Sequence, residues 1–316
     1  MTMSETAATG AARTTIVVAI CTFKRNDLLT RLLEAVLVCA ERVGARAAVG
    51  VVLVDDTPEG LARPVADAFA KHFELGLQYT ISGRKNISLA RNLAIETAME
   101  IGEWTVMTDD DCEPPPEWLD ALLDAQRSTK TDAVTGRMVR RVPEGSPRWI
   151  TEQPFLTLGV EELPDHAEMS SAATFNTMIA SSWLRAHPNI RFDPHFGVVG
   201  GEDMVFFRSA RAAGLSISFS ERGYTYENEP ADRATFGYQL YVYYWHGNSA
   251  ALSCIQSGMS RGRMLVHAGA SFARALIRPV LRLFQGRSPQ LRFTLAQILH
   301  AIGKLFGASG IRVDHR

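Results

Sequence analysis

Between Thr14 and Asp111 the chain alternates apolar runs with helical patterns, and this alternation limits the fold more tightly than any other feature. "TTIVVAI", "AVGVVLVDD", "LGLQYTI" and "EWTVMTDDD" have the length and composition of buried strands. Between them lie "NDLLTRLLEAVLVCAERV", "PEGLARPVADAFAKHF" and "NISLARNLAIETAMEI", the first with leucines at i, i+3 and i+4. Strands this apolar need cover on both faces, and an intervening helix returns each next strand parallel to the last. The expectation is an α/β fold with a Rossmann-like, mostly parallel, doubly wound sheet flanked by helices and right-handed crossovers.

Open sheets of this kind bind ligands beyond the carboxyl ends of their strands, so the strand-end residues are the first candidates. The fourth strand ends in Asp109, Asp110 and Asp111, followed by Pro114 to Pro116 and a helix beginning near Trp118. Three adjacent carboxylates repel one another and are tolerated in water or around a cation. Asp109 and Asp111 form an Asp-x-Asp pair suited to Mn²⁺ or Mg²⁺, hard cations that share such sites with substrate phosphates. Asp55 and Asp56 end the second strand, where a carboxylate can accept from a uracil N–H or a ribose hydroxyl, or simply cap a turn. Thr22, Phe23 and Arg25 follow the first strand as candidates for the nucleotide's base edge, ring face and phosphate. Arg84, Lys85 and Arg91 surround the start of the third helix, an arrangement that favours anions.

After Arg141 the pattern loosens: residues 142–175 read as a long loop region, and "TFNTMIASSWL" is apolar again. Gly200 and Gly201 then precede Glu202 and Asp203. The glycines permit backbone conformations closed to other residues, so a carboxylate there can enter a cleft as a general base or cap the following helix. Trp245 and His246 sit in an aromatic segment whose ring faces suit a sugar acceptor or an ordinary core. Taken together, a nucleotide-accepting half, a metal-binding Asp pair and a later isolated carboxylate point to nucleotide-sugar chemistry. One base on the far side of the anomeric carbon from a diphosphate leaving group gives inversion.

At 316 residues and 46% apolar composition the chain can bury a large core. Its four cysteines, Cys21, Cys39, Cys112 and Cys254, show no paired spacing, which favours a reducing cytoplasm. Residues 1–13 lack the apolar stretch of a signal peptide and are expected to be a disordered tail. From Ser260 onward ten Lys/Arg face one acid, about +9, leaving about −10 for the rest. In this segment Phe272, Leu276, Val280, Leu283 and Phe284 fall on one helical face, with Arg274, Arg278 and Arg282 opposite. Leu291, Leu295, Ile298, Leu299, Ile302 and Leu305 likewise lie opposite His300 and Lys304. Neither run is long enough to span a bilayer. Residues 260–306 are expected either to pack on the body or to lie on an anionic membrane surface. No nucleic-acid partner is expected, because the arginines alternate with an apolar face and not with stacking aromatics.

The motifs "CTFKR", "VDDT", "NISLARN", "TDDDCEPPPEWL" and "GGEDMVFF", in this order, resemble glycosyltransferase family 2, of the GT-A fold. With "SERGYTYENEPADRAT" they are similar to the bacterial exopolysaccharide branch, the glucosyltransferases of succinoglycan assembly. The resemblance implies a metal-dependent hexosyltransferase using a UDP-sugar donor. It implies a glycan or polyprenyl-diphosphate-linked acceptor and a peripheral place on the inner face of the cell membrane. Thr22, Phe23 and Asp55 or Asp56 would hold uridine, with Arg91 near the diphosphate. Asp109 and Asp111 would frame the metal, Asp203 would be the catalytic base, and Glu202 would stand beside it at the acceptor. Residues 14–140 would be the donor half, 141–255 the acceptor half and 256–316 a basic amphipathic extension. Relatives place a histidine near "YTYENEP", where Tyr226 stands here, so that metal coordination would be completed by Glu227, by water or not at all; the processive "QxxRW" signature is absent. Two rivals are a nucleotidyltransferase, which would carry a glycine-rich phosphate loop missing from "CTFKRND", and a non-catalytic membrane scaffold of the same fold.

Overall fold

The computed structural model describes residues 13–157 and 163–313. The expected tail therefore lies outside the described residues, except for Arg13, which pairs with Glu74 at 2.6 Å.

Strand β1 (Thr14–Thr22) pairs parallel with β2 (Ala47–Asp55), from Thr14 opposite Ala47 to Thr22 opposite Asp55. The helix between them, α1 (Asn26–Val43), has the bounds its leucine spacing predicts and buries Leu29, Leu32, Leu33, Val36 and Val43 along one stripe. α2 (Arg63–Phe69) is shorter than its pattern, with Pro64 in its first turn. β3 (Leu77–Ile81) leads to α3 (Ile87–Ile101), capped by Asn86, whose side chain accepts from the Leu89 N–H at 3.2 Å. β4 (Trp104–Asp109) then crosses to the other side of β1, so this half of the sheet is ordered β3-β2-β1-β4, parallel and doubly wound. β5 (Cys112–Glu113) and α4 (Trp118–Thr129) follow. The alternation of side chains along β1 divides the core. Ile16, Val18 and Ile20 pack with α1 and α4, while Val17 and Ala19 lie under Ala90, Ala94 and Ala98 of α3.

The second half, where the alternation loosens, adds antiparallel pairs to the sheet. It contains β6 (Ala133–Arg141), α5 (Arg148–Glu152), β7 (Asn176–Ala180), α6 (Ser181–Ala186), α7 (Glu202–Ala212) and β8 (Ile217–Asn228). β7 runs antiparallel to both β4 and β6, β5 runs antiparallel to β8, and β6 and β8 are parallel. The result is one eight-stranded sheet, β3-β2-β1-β4-β7-β6-β8-β5. No helical pattern separates the strand runs here at regular intervals, so nothing in the sequence forced each strand back to a parallel start. The Trp118 indole, fully buried, donates to Asn176 at 2.8 Å and fixes α4 against β7.

Three helices close the chain: α8 (Phe236–Gln256), α9 (Arg261–Phe284) and α10 (Leu291–Ala308). α10 packs on α8 through small residues. A side chain on Gly303 would strike the Tyr244 carbonyl, and one on Gly247 the His300 carbonyl. Of the two faces the pattern offered, the small-residue one meets the body: α10 buries Ala296, Ala301, Gly303 and Gly307, while Leu291, Leu295 and Leu305 are exposed. Backbones approach closest where side chains are smallest, and that closeness outweighed the leucine stripe. No helix among the described residues is long and apolar enough to cross a membrane.

Candidate active site

Asp109 ends β4, and Asp110 and Asp111 make the turn into β5. Because β1 lies beside β4, the loop after β1 reaches this turn. The Thr22 hydroxyl donates to Asp110 Oδ2 at 2.8 Å, and Arg25 Nη1 donates to Asp110 Oδ1 at 3.0 Å and Asp111 Oδ2 at 2.9 Å. Burial pushes Asp110 up to about 6 despite the Arg25 charge. The middle aspartate thus anchors the turn from inside, and Thr22 and Arg25 act on the acidic cluster directly. Arg233, just before α8, adds a second cation 3.5 Å from Asp111. Burial and the Asp109 charge nevertheless hold Asp111 above the usual carboxylate range.

A fourth carboxylate lies beside this group. Glu227 of β8 stands opposite Cys112, and burial with the Asp111 charge pushes it up to about 8. Tyr226, the residue expected at the histidine position, faces elsewhere: its hydroxyl donates to the Tyr224 hydroxyl at 3.3 Å, and Arg141 covers its ring at 3.1 Å. Successive strand residues face opposite ways, so Glu227 and not Tyr226 turns to the aspartates' side, where it accepts from Arg140 Nε at 3.1 Å and feels the Asp111 and Asp109 charges. Among the described residues no three such groups are gathered into a finished metal site. The donor type still suits a hard divalent cation, since Asp109, Asp111 and Glu227 offer only oxygen. Burial first and mutual repulsion second raise Asp111 and Glu227, and Arg25, Arg233 and Arg140 already pair with them.

Asp55 is occupied by its own turn. Its Oδ1 accepts the Thr57 N–H at 2.9 Å and hydroxyl at 2.7 Å, and its Oδ2 accepts the Ala62 N–H at 2.7 Å and Tyr79 hydroxyl at 2.9 Å. Asp56 is buried beside the β1 end and accepts the Arg84 N–H at 3.1 Å. Phe23 stands 40% exposed at the rim, with the Lys24 ammonium 5.3 Å from its ring centre. The nucleotide candidates thus divide: Phe23 stands at the rim, Asp55 is spent on its own turn, and Asp56 is buried with only Oδ1 engaged, by the Arg84 N–H.

Arg91 ties the two halves together. Its buried guanidinium donates from Nη2 to Asp109 Oδ1 at 2.8 Å and from Nη1 to Glu202 at the start of α7. Gly200 and Gly201, at φ +80° and +88°, take left-handed conformations that aim this helix start at the site. Trp245 holds the same loop: its indole donates to the Val199 carbonyl at 2.8 Å and fills the space a side chain on Gly200 would need. His246 is exposed beside the Trp245 ring, 4.7 Å between centres. Asp203 accepts the Met204 N–H on Oδ1 at 2.7 Å, and burial with the Glu202 charge pushes it up to about 6. Sequence reasoning missed Arg233 and the anchoring role of Asp110. The only signal for Arg233 was its place after "ENEP", since its approach to Asp111 spans more than a hundred residues.

The description of Glycosyl transferase family 2 matches residues 17–186, from β1 through α6. Over 313 residues the chain is 28% identical to the succinoglycan biosynthesis protein ExoM of Rhizobium meliloti strain 1021, with 93% of each chain covered. Its fold is similar to that of S. aureus TarS 1–349 in complex with UDP-GlcNAc. The TM-score is 0.55 at 15% identity, over 94% of this chain and 92% of that one. GalNAc-T7 crystallised with UDP, GalNAc and Mn²⁺ gives a TM-score of 0.52 at 14% identity, over 76% of this chain and 51% of that one. These likenesses establish the GT-A architecture that the curled, helix-flanked sheet displays. With more than half its length matched by the family description, the chain belongs to glycosyl transferase family 2.

Proposed function

We propose that this glycosyltransferase moves a hexose from a UDP-sugar, with inversion, to a glycan carried on a polyprenyl diphosphate or a cell-surface polysaccharide. The observation that carries this reading is the inequality of the two acids at α7. Arg91 neutralises Glu202, while Asp203 is lifted to about 6 and keeps Oδ2 clear of its own helix bond. One carboxylate poised near neutrality is a general base, and the absence of a second free one beside it favours a single displacement.

Asp203 Oδ2 takes the proton of an acceptor hydroxyl as that oxygen bonds to the anomeric carbon. The bond to the UDP oxygen breaks on the opposite face. Asp56 and Phe23 hold the uridine, with Thr22 and Arg25 keeping the acidic turn in place. Asp109 and Asp111, with Glu227, would hold Mn²⁺ or Mg²⁺, which when bound supplies positive charge to the diphosphate. Trp245 and His246 lie next to the loop carrying Asp203, which supports acceptor contact there. Donor binding falls to residues 14–140, acceptor binding to 141–255 and membrane contact to 256–316. The name of the ExoM relative supports a role in exopolysaccharide synthesis. The basic C-terminal segment supports a peripheral position on the inner membrane face.

Calorimetry of UDP binding with and without Mn²⁺, followed by transfer assays over a UDP-sugar panel, tests this. Asp203→Asn is expected to keep UDP affinity and lose transfer by about 10³-fold. The product anomer should be opposite to the donor's by NMR. Transfer with retained configuration, or an active Asp203→Asn enzyme, would overturn the reading.

A further inference from the structure

Helices α9 and α10 are built inside out. On α9, Val266, Ile277, Leu281 and Phe284 are 72%, 53%, 54% and 86% exposed, while the buried residues are Met264, Ala268 and Ala275. On α10, Leu291, Leu295, Leu305 and Phe306 are exposed. Its polar residues turn inward: His300 Nδ1 donates to the Tyr243 carbonyl at 3.2 Å, and Lys304 Nζ donates to the Ser271 hydroxyl at 3.3 Å. A helix pair adapted to water places these sides the other way round, and a continuous apolar ridge of this kind marks an interaction surface.

Beside the ridge, with its Ile277 and Leu281 on the wall, α8, α9 and α10 border an open cleft of about 670 Å³. Arg274, Arg278 and Arg282, four residues apart in turn, project into it, with Tyr243 from α8 and His300 from α10. No acidic residue occurs between Ser260 and Val313 to balance them. The cations instead oppose one another: burial and Arg282 pull Arg278 below its ordinary value, and burial and Arg274 do the same to Lys304. The Tyr243 hydroxyl is buried on this wall without a hydrogen-bond partner. A row of guanidinium donors and an orphaned hydroxyl, with no acid, are complementary to a phosphate.

We propose that the α9–α10 hairpin seats in a phospholipid surface, its ridge among the acyl chains and a lipid headgroup phosphate in the Arg274–Arg278–Arg282 cleft. The proposal rests on the membrane reading above and gives it a place and a chemistry. The apolar ridge and the phosphate cleft share one helix, so a lipid satisfies both at once, whereas a soluble phosphate leaves the ridge in water. Insertion also makes the contact more than electrostatic, so it survives salt.

The test is flotation of the full chain with phosphatidylcholine vesicles, with and without phosphatidylglycerol, followed by a high-salt wash. UDP calorimetry is run on the same preparations. The wild type is expected to float and to resist the wash. Val266→Asp with Phe284→Asp should weaken flotation by about 100-fold, with thermal stability unchanged because both side chains, 72% and 86% exposed, already face water and neither lines the cleft. Arg278→Gln should cost about fivefold. Tyr243→Phe should cost about threefold, the loss of one hydrogen bond. A ridge variant that floats like the wild type, or a wild type stripped by salt, overturns the proposal. So does a non-floating protein that binds inorganic diphosphate through Arg278, or a dimer that Phe284→Asp dissociates without flotation. UDP binding without flotation sinks the membrane seat alone. Flotation without UDP binding leaves the seat standing and refutes the donor assignment.

Discussion

Replacing Arg91 by methionine isolates the link between the donor end and the base. The guanidinium is 12% exposed and is held charged between Asp109, 2.8 Å away, and Glu202. Burial pulls against that charge, but the two acids outweigh it and raise Arg91 above its ordinary value. Methionine fills a similar volume and removes the charge. Asp109 is 36% exposed and can rehydrate, so the loss falls mainly on Glu202, whose side chain is 10% exposed. An uncompensated buried carboxylate costs about 3 kcal/mol, a large share of a domain's stability. Adding Glu202→Gln removes the stranded charge and should recover about 2 kcal/mol of it. Urea unfolding of the wild type, the single variant and the double variant measures both steps. Transfer should remain about 100-fold down in the double variant, because Asp109 has lost its orienting partner. A single variant that costs under about 1 kcal/mol, or a double variant no more stable than the single, would refute the bridging account.

Other measurements follow from the same geometry. Asp203 works only when deprotonated and is raised to about 6 by burial and Glu202, so kcat/KM should fall as pH drops through about 6; a profile flat to pH 5 would remove Asp203 as the base. His300 is lowered to about 4 by burial and Lys304, so the folded state resists a proton that the unfolded chain accepts below about 6.5. That contribution is complete above pH 6.5 and is lost as pH falls towards 4, up to about 3 kcal/mol. His300→Gln should flatten that part of the urea-midpoint profile. Gly303→Val should cost about 2–3 kcal/mol in urea unfolding, since α10 would be pushed off the Tyr244 carbonyl; an unchanged midpoint would mean that the helices are not in contact there.

The sequence alone determined the elements whose signal is local. The period of "NDLLTRLLEAVLVCAERV" sets α1 residue for residue, and Asn86 and Trp118 mark the starts of α3 and α4 as their neighbours predict. Runs apolar on both faces committed the first half to a covered parallel sheet. The carboxyl ends of those strands then located the acidic turn. Tertiary structure decided whatever depends on partners distant in the chain. Asp55 and Asp56 are adjacent and alike in sequence, yet the Tyr79 hydroxyl and the Ala62 N–H occupy one, while the other accepts the Arg84 N–H on Oδ1 alone. The sequence left Glu227, water or nothing to stand in for the histidine that Tyr226 replaces; strand register turns Glu227 and not Tyr226 to the aspartates' side, because one step along a strand reverses the face. Arg91 joins β4 to α7 across 111 residues, which no local pattern encodes. The same holds for the last two helices. Periodicity marked apolar stripes on both but left open whether these meet the body, and which face does so depends on how closely α8 and α10 approach. There glycine against backbone won over leucine against leucine, and the leucines were left facing outward.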